Sequence, residues 1–185
     1  MERPRFIPTL PSDWRHLPLL FVLIVSFTVL ITVLYVTHDF AKVDGDSMEP
    51  ALRSGDRVLI TKGYDTPRRG DIISFRATIS GAPDVLIKRV VAIPGDSVEI
   101  LGDRAVVNGE VSPFDAGTLV GSEDLRIAPF TVPEGTVYVL GDNRAVSLDS
   151  RFIGPVKIAS IRGAVTWIIS PVTRFRRIDA NRSGS

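Results

Sequence analysis

The sequence predicts a mostly β protein, with one membrane-spanning helix near the N-terminus followed by an all-β domain of coiled antiparallel sheets. Three observations carry this reading. Leu17 to Val36 is a run of 20 residues without a charge; at about 1.5 Å per helical residue it matches a bilayer's hydrocarbon core, about 30 Å thick. Beyond it, short apolar runs alternate with turn residues roughly every ten positions, the spacing of all-β domains. No stretch of that region keeps the helical period long enough for an amphipathic helix.

Residues 1–16 set Arg3, Arg5 and Arg15 against Glu2 and Asp13, with Pro4, Pro8 and Pro11 among them. They read as a mildly basic tail. The helix is expected over 17–37. Its only hydroxyls are Ser26, Thr28, Thr32 and Tyr35, and it is apolar all round, unlike a core helix with one polar face. A cleaved secretory signal has an apolar region of about 7–15 residues and a small-x-small cleavage site. This run is longer, and Tyr35 to Phe40 offers no such site, so the helix is read as a retained anchor. The arginines precede it and only Lys42 lies close after it. The positive-inside rule then puts the N-terminus in the cytoplasm and the rest on the other side.

The β domain is expected over 38–172. Val58–Thr61 and Ile72–Phe75 read as strands, with a turn at Pro67–Asp71 between them. Gly81–Asp84 reads as a turn and Val85–Ile93 as a strand ended by Pro94-Gly95-Asp96. Ser97–Leu101 and Arg104–Val107 form a hairpin, and Asn108-Gly109 is a strong turn signal after it. Residues 112–129 show no period. Thr136–Leu140 is a strand, and Ile158–Ile169 supplies one or two closing strands. Residues 173–185, with Arg174, Arg176 and Arg177, read as a basic tail with nothing to tether it.

With 185 residues and 44% hydrophobic content, the chain can build one domain outside the membrane. A net charge of +1 gives no bulk electrostatic case for a nucleic-acid partner. The absence of cysteine excludes disulfides, a thiol nucleophile and Cys-ligated metal centres. His16 and His38 lie at opposite ends of the expected helix, too far apart to share a metal or to complete a Ser-His-Asp triad. No metal and no cofactor is therefore expected.

Three places can carry chemistry. Ser47 lies in Gly45-Asp46-Ser47-Met48-Glu49-Pro50, where glycine and proline favour a rigid turn; a plain turn serine fits the same residues. Lys88 stands in the aliphatic run Leu86 to Val91, and strand alternation puts it on the face of Leu86 and Val90. If that face is buried, the ammonium loses hydration, its pKa falls, and the neutral amine becomes a usable base. The third place is Gly141 to Arg151, a polar loop after a strand, in which Ser147, Asp149 and Arg151 fall in one alternating set. An Asp149–Arg151 pair would serve as scaffolding.

Taken together, Ser47-Met48-Glu49-Pro50, Lys88 to Asp96, and Gly141-Asp142-Asn143 with Ser147-x-Asp149-Ser150-Arg151 resemble type I signal peptidase. Arg69-Gly70-Asp71-Ile72 resembles a further block of that family, and the resemblance covers about residues 17 to 170. It implies a membrane-bound serine endopeptidase that removes signal peptides from secretory precursors, cutting after a small-x-small motif through an acyl-enzyme. Ser47 would be the nucleophile, Lys88 the base of a Ser-Lys dyad, and Ser147 the residue that orients the Lys88 amine. Asp149 and Arg151 would be a structural pair. Val43, Met48, Leu52, Leu86 and Ile87 match positions lining the substrate pockets. Some members carry a serine where this chain has Gly45, so a second oxyanion donor would be different or absent; glycine is also usual at that place in compact members. The implied partners are secretory precursors and the lipid bilayer, and the implied location is the bacterial cytoplasmic membrane with the catalytic domain outside. A specialised pilus or conjugation peptidase, or a tethered β-domain that binds peptides without cutting them, are the alternatives.

Overall fold

The computed structural model describes residues 17–114 and 125–178, and the N-terminal tail expected over 1–16 lies outside them. The chain divides into two units, Met1–Val36 and Thr37–Ser185. In the first, helix α1 (Leu17–Thr37) has no buried residue. It is long and apolar enough to cross a membrane. Its threonines turn inward on the backbone: Thr28 Oγ1 donates to the Ile24 carbonyl and Thr32 Oγ1 to the Thr28 carbonyl, each at 2.8 Å. Such back-bonding gives these two hydroxyls an acceptor within the helix itself.

The second unit is built from two antiparallel sheets. Its strands are β1 (His38–Lys42), β2 (Arg57–Thr61), β3 (Ile72–Ile79), β4 (Ala82–Ala92), β5 (Ser97–Leu101), β6 (Arg104–Val107), β7 (Glu110–Val111), β8 (Arg126–Thr131), β9 (Thr136–Leu140), β10 (Val156–Lys157), β11 (Ile161–Ser170) and β12 (Arg176–Arg177), with a short helix α2 (Ser150–Ile153) before β10. The larger sheet runs β1-β2-β11-β3-β4-β9-β10, with β12 paired to β11; the smaller runs β7-β6-β5-β8. The expected β class therefore holds.

Strand alternation sorts the apolar residues into three clusters. Val58, Ile60, Ile72, Val165 and Ile168 gather with Val43, Met48, Ala51 and Leu52. Ile73, Phe75 and Val90 point the other way, to Val137, Val139 and Val156. The third cluster joins the sheets through Val91, Ala92, Val98, Ile100, Tyr138 and Leu140. Adjacent residues such as Ile72 and Ile73 thus serve different cores, which is why this stretch reads as continuously apolar.

Several expectations are corrected. The turn expected over Gly81–Asp84 is confined to Ser80 and Gly81, both left-handed at φ 50° and 83°, as a two-residue hairpin turn requires. Ala82, Pro83 and Asp84 already belong to β4, paired with Ile79, Thr78 and Ala77. Strand β8 occupies part of the stretch read as irregular; the rest, 115–124, lies outside the described residues. The untethered tail is wrong for Arg174 to Ile178: β12 pairs with β11, Phe175 meets Trp167 with ring centroids 5.4 Å apart, and Ile178 packs on the first cluster.

Where β11 passes β2, the backbones approach closely at Gly163. A Cβ there would overlap the Thr61 carbonyl oxygen and lie 2.7 Å from Ile60 Cγ2. Gly163→Ala should therefore destabilise the protein by about 1–3 kcal/mol, the cost of overpacking. Thermal unfolding of the detergent-solubilised chain checks this, and an unchanged midpoint would show that the strands part freely.

Candidate active site

Residues 44–55 form a loop closed at its base. Val43 N donates to the Asp56 carbonyl at 2.8 Å and Gly55 N to the Val43 carbonyl at 2.9 Å. Within it, Glu49 N reaches the Asp46 carbonyl at 3.1 Å and Leu52 N the Met48 carbonyl at 2.9 Å. Met48, Ala51 and Leu52 are buried and root the loop in the first cluster. Gly45 sits at φ +81°, a conformation that strains any residue with a Cβ. A serine is thus disfavoured at 45 by the backbone itself. Ser47 stands half-buried on this rooted loop.

Lys88 approaches it from β4, with Ile73 as its cross-strand neighbour. Its Nζ donates to Ser47 Oγ at 2.7 Å and to the Ile87 carbonyl at 3.0 Å. The residue is 3% exposed. Desolvation pushes the amine's pKa below that of an ordinary lysine, against the upward pull of Asp149, Asp142 and Asp84.

The loop after β9 packs against the Ser47 backbone. Asn143 N donates to the Ser47 carbonyl at 3.1 Å. Gly141 is the point of contact: a Cβ there would lie 2.5 Å from both the Ser47 carbonyl oxygen and Ser147 Cβ. Asp149 holds the loop. It accepts from Gly141 N at 3.0 Å and Arg151 N at 3.2 Å, the latter capping α2, and its carboxylate pairs with Arg151 Nε at 2.9 Å. Arg151 also donates to the Arg144 carbonyl at 2.6 Å. Asp149 and Arg151 are thus brought together.

Ser147 is different. Its Oγ is buried with no hydrogen-bond partner, so the expected bond to Lys88 is not formed here. The amine instead donates to Ser47 Oγ and the Ile87 carbonyl. Of the expected pocket residues, Val43, Met48 and Leu52 share one cluster with Ile87 packed against it. Leu86 packs on the cluster of Ile73 and Phe75. Neighbours on a strand face opposite sides, so Leu86 and Ile87 do not meet in one apolar cluster.

Sequence reasoning missed the pair beside Lys88. Arg89 and Asp142 are both buried and joined by two bonds of 2.7 Å, Nε to Oδ1 and Nη2 to Oδ2, while Nη1 donates to the Gly70 carbonyl at 2.8 Å. Breaking such a pair from one side costs about 3–5 kcal/mol. Arg144 was also missed; it donates to the carbonyls of Gly141 and Asp103 at 2.7 and 2.8 Å. An arginine inside an aliphatic strand and an aspartate directly after a strand were the available signals. The block Arg69-Gly70-Asp71 proves to be a turn tie: Arg69 pairs with Asp96, Nε to Oδ2 at 2.7 Å, and Asp71 accepts from Tyr64 and Arg68 N. Among the described residues no group of three or more His, Asp or Glu could hold a metal ion.

The signal peptidase family, peptidase S26, matches residues 14–170 of this chain. "Signal peptidase I" of Leptolyngbya laminosa is 35% identical over 142 residues, covering 72% of this chain and 69% of that protein. "Signal peptidase I V" of Bacillus subtilis (strain 168) is 35% identical over 160 residues, covering 77% and 92%. A crystal structure of a signal peptidase I from Enterococcus faecalis V583 aligns with a TM-score of 0.43 and 34% identity, over 55% of this chain and 97% of that one.

Asp84 is exposed and raises the Lys88 pKa through space. Asp84→Asn keeps the side-chain acceptor for Val85 N and removes the charge. The Lys88 titration, followed by NMR of its Nζ, should move to lower pH at low salt and less so at high salt. A shift to higher pH would contradict this electrostatic account.

Proposed function

The chain belongs to the peptidase S26 family of signal peptidases, which are serine peptidases, and from that membership we propose that it removes signal peptides from exported precursors by a Ser47–Lys88 dyad. The observation that carries the assignment of residues is the 2.7 Å contact between a buried amine and a hydroxyl on a rooted loop.

The neutral Lys88 amine accepts the Ser47 Oγ proton across that contact, and Oγ attacks the scissile carbonyl. The tetrahedral intermediate collapses to an acyl-enzyme as the ammonium returns its proton to the leaving amine. A water then loses a proton to Lys88 and attacks the ester, and Ser47 is regenerated. The Ser47 N–H donates to no acceptor among the described residues and is offered as an oxyanion donor. Gly45 supplies no side chain to help. The precursor lies along β4, which pairs with β9 only from Arg89 onward and so leaves the edge from Ala82 to Lys88 without a second strand. An extended peptide adds there as a strand. Val43, Met48, Leu52 and Ile87 face its small side chains at the first and third positions before the cut. Once protonated, Lys88 has a further N–H to place, and the Ser147 hydroxyl has free lone pairs to take it.

Two measurements test this. Cleavage of a secretory precursor by the detergent-solubilised chain, read by mass spectrometry, should fall after a small-x-small motif. Ser47→Ala, Lys88→Met and Lys88→Arg should each lose at least about three orders of magnitude while still folding, since a guanidinium with pKa above about 12 cannot act as the base. Ser147→Ala should lose roughly tenfold to a few hundredfold. Lys88→Arg at wild-type rate would remove Lys88 from the chemistry.

The anchor is read as α1, with the β domain on the extracytoplasmic face, from the arginines that precede it. Protease added to spheroplasts should digest that domain, and full protection with the membrane intact would reverse the topology.

A further inference from the structure

The nucleophile loop is gripped from a side the catalytic groups do not touch. After β11 the chain turns through Val172–Arg174, returns as β12, and lays Ile178 on the cluster that contains Met48 and Leu52. Two guanidinium groups reach from this segment into the loop that carries Ser47. Arg176 Nη2 donates to the Ala51 carbonyl at 2.9 Å and Arg174 Nη2 to the same oxygen at 3.3 Å. Arg174 Nη2 also pairs with Asp56 Oδ2 at 3.1 Å. Asp56 is 2% exposed, and its Oδ2 accepts from Arg53 N at 2.9 Å.

These contacts fall at two mechanically important places. Asp56 is the residue whose carbonyl closes the loop onto Val43. Ala51 lies four residues after Ser47, in the turn that begins at the nucleophile. The opposite side of the loop is held by Lys88 Nζ on Ser47 Oγ and Asn143 N on the Ser47 carbonyl. Ser47 therefore sits between two sets of restraints, one that does the chemistry and one that fixes where the chemistry happens. Reaction rates are steep in such placement: an error of about 1 Å costs on the order of a hundredfold.

We infer that the C-terminal segment is a positioning strap for the nucleophile, with Arg174 and Arg176 as its positioning residues. This rests on the reading of Ser47 as the nucleophile. Arg177 lies on the same strand, is exposed, and pairs in register with Trp167, and among the described residues its side chain forms no hydrogen bond or ion pair with the loop. It is the internal control for charge and for β12 itself.

The test uses the full chain in detergent and one precursor substrate. Arg174→Met with Arg176→Met should lower kcat by about tenfold or more and change KM by much less, because the β4 edge to which the peptide backbone adds is untouched while the loop that carries Ser47 shifts. Arg176→Lys, which keeps a donor within reach of the Ala51 carbonyl, should recover part of the loss that Arg176→Met shows alone. Arg177→Met should match the wild type. Wild-type kcat in the double variant, or an equal loss in Arg177→Met, overturns the inference. If the double variant does not fold, Arg176→Met against Arg176→Lys gives the same decision. Ser47→Ala run in parallel separates the two readings: if that variant still cleaves, the nucleophile assignment fails, whatever the arginines do.

Discussion

Burial of the Lys88 amine beside Ser47 is the constraint around which the β domain is arranged. An ammonium loses its hydration on burial, so desolvation favours the neutral form, but three carboxylates act against this. Two of the three are not free charges. Asp142 is held by Arg89 through two bonds, and Asp149 by Arg151. At the amine, each pair presents a dipole in place of a full negative charge, and a dipole's field falls off faster with distance. Asp149 and Asp142 still pull the Lys88 pKa upward, and desolvation by burial is the larger effect. The third, Asp84, lies on the exposed part of β4, where water does the screening. Both pairs are buried, and a buried pair is weak as a source of stability when measured against apolar replacements. What it offers here is a fixed electrostatic setting around one amine.

The same groups carry the backbone geometry. Asp149 caps α2, fixes Gly141 and pairs with Arg151, while Gly141 brings its own backbone against both Ser47 and Ser147. A bulkier residue at 141 would separate the loop from Ser47. Electrostatics and shape are therefore coupled through a few residues, and a change at any of them moves more than one contact.

Much of this was legible in the sequence, and what was not has a common cause. Helix α1 follows from composition alone, because a bilayer demands length and the absence of charge. Strands β2, β5, β6 and β9 follow from alternation between turn residues. Ser47, Lys88 and the loop from Gly141 stood out because polar residues in apolar surroundings need a reason. The misses depend on partners far along the chain. Nothing local in Arg174 or Arg176 points to Ala51 and Asp56, more than a hundred residues earlier, and a run of arginines at a chain end reads as solvent-facing. Arg89 stands next to Lys88 in the chain, yet alternation sends the two side chains apart, one to Asp142 and one to Ser47. The turn at Gly81 was drawn too wide because Pro83 and Asp84 are turn residues by habit, and the length of β3 decided otherwise. The role of Ser147 was drawn from likeness, and its unpaired hydroxyl shows that proximity to the site does not fix which bonds form.

On the proposed function, the packing of the first cluster also bears on which peptides fit. Val43, Met48 and Leu52 are buried to 5%, 1% and 0% exposure, so the surface a substrate side chain would meet is the outer skin of a filled core. Protein interiors are close-packed, and adding even a methylene forces side chains off their rotamers at a cost of about 1–3 kcal/mol. A methyl group needs little room and meets a preformed apolar surface. A larger side chain must displace core residues, and Met48 and Leu52 also root the loop that holds Ser47. On the proposed reading, excluding large residues and keeping Ser47 in place are then one mechanical property: a substrate that strains the cluster also moves the Ser47 hydroxyl.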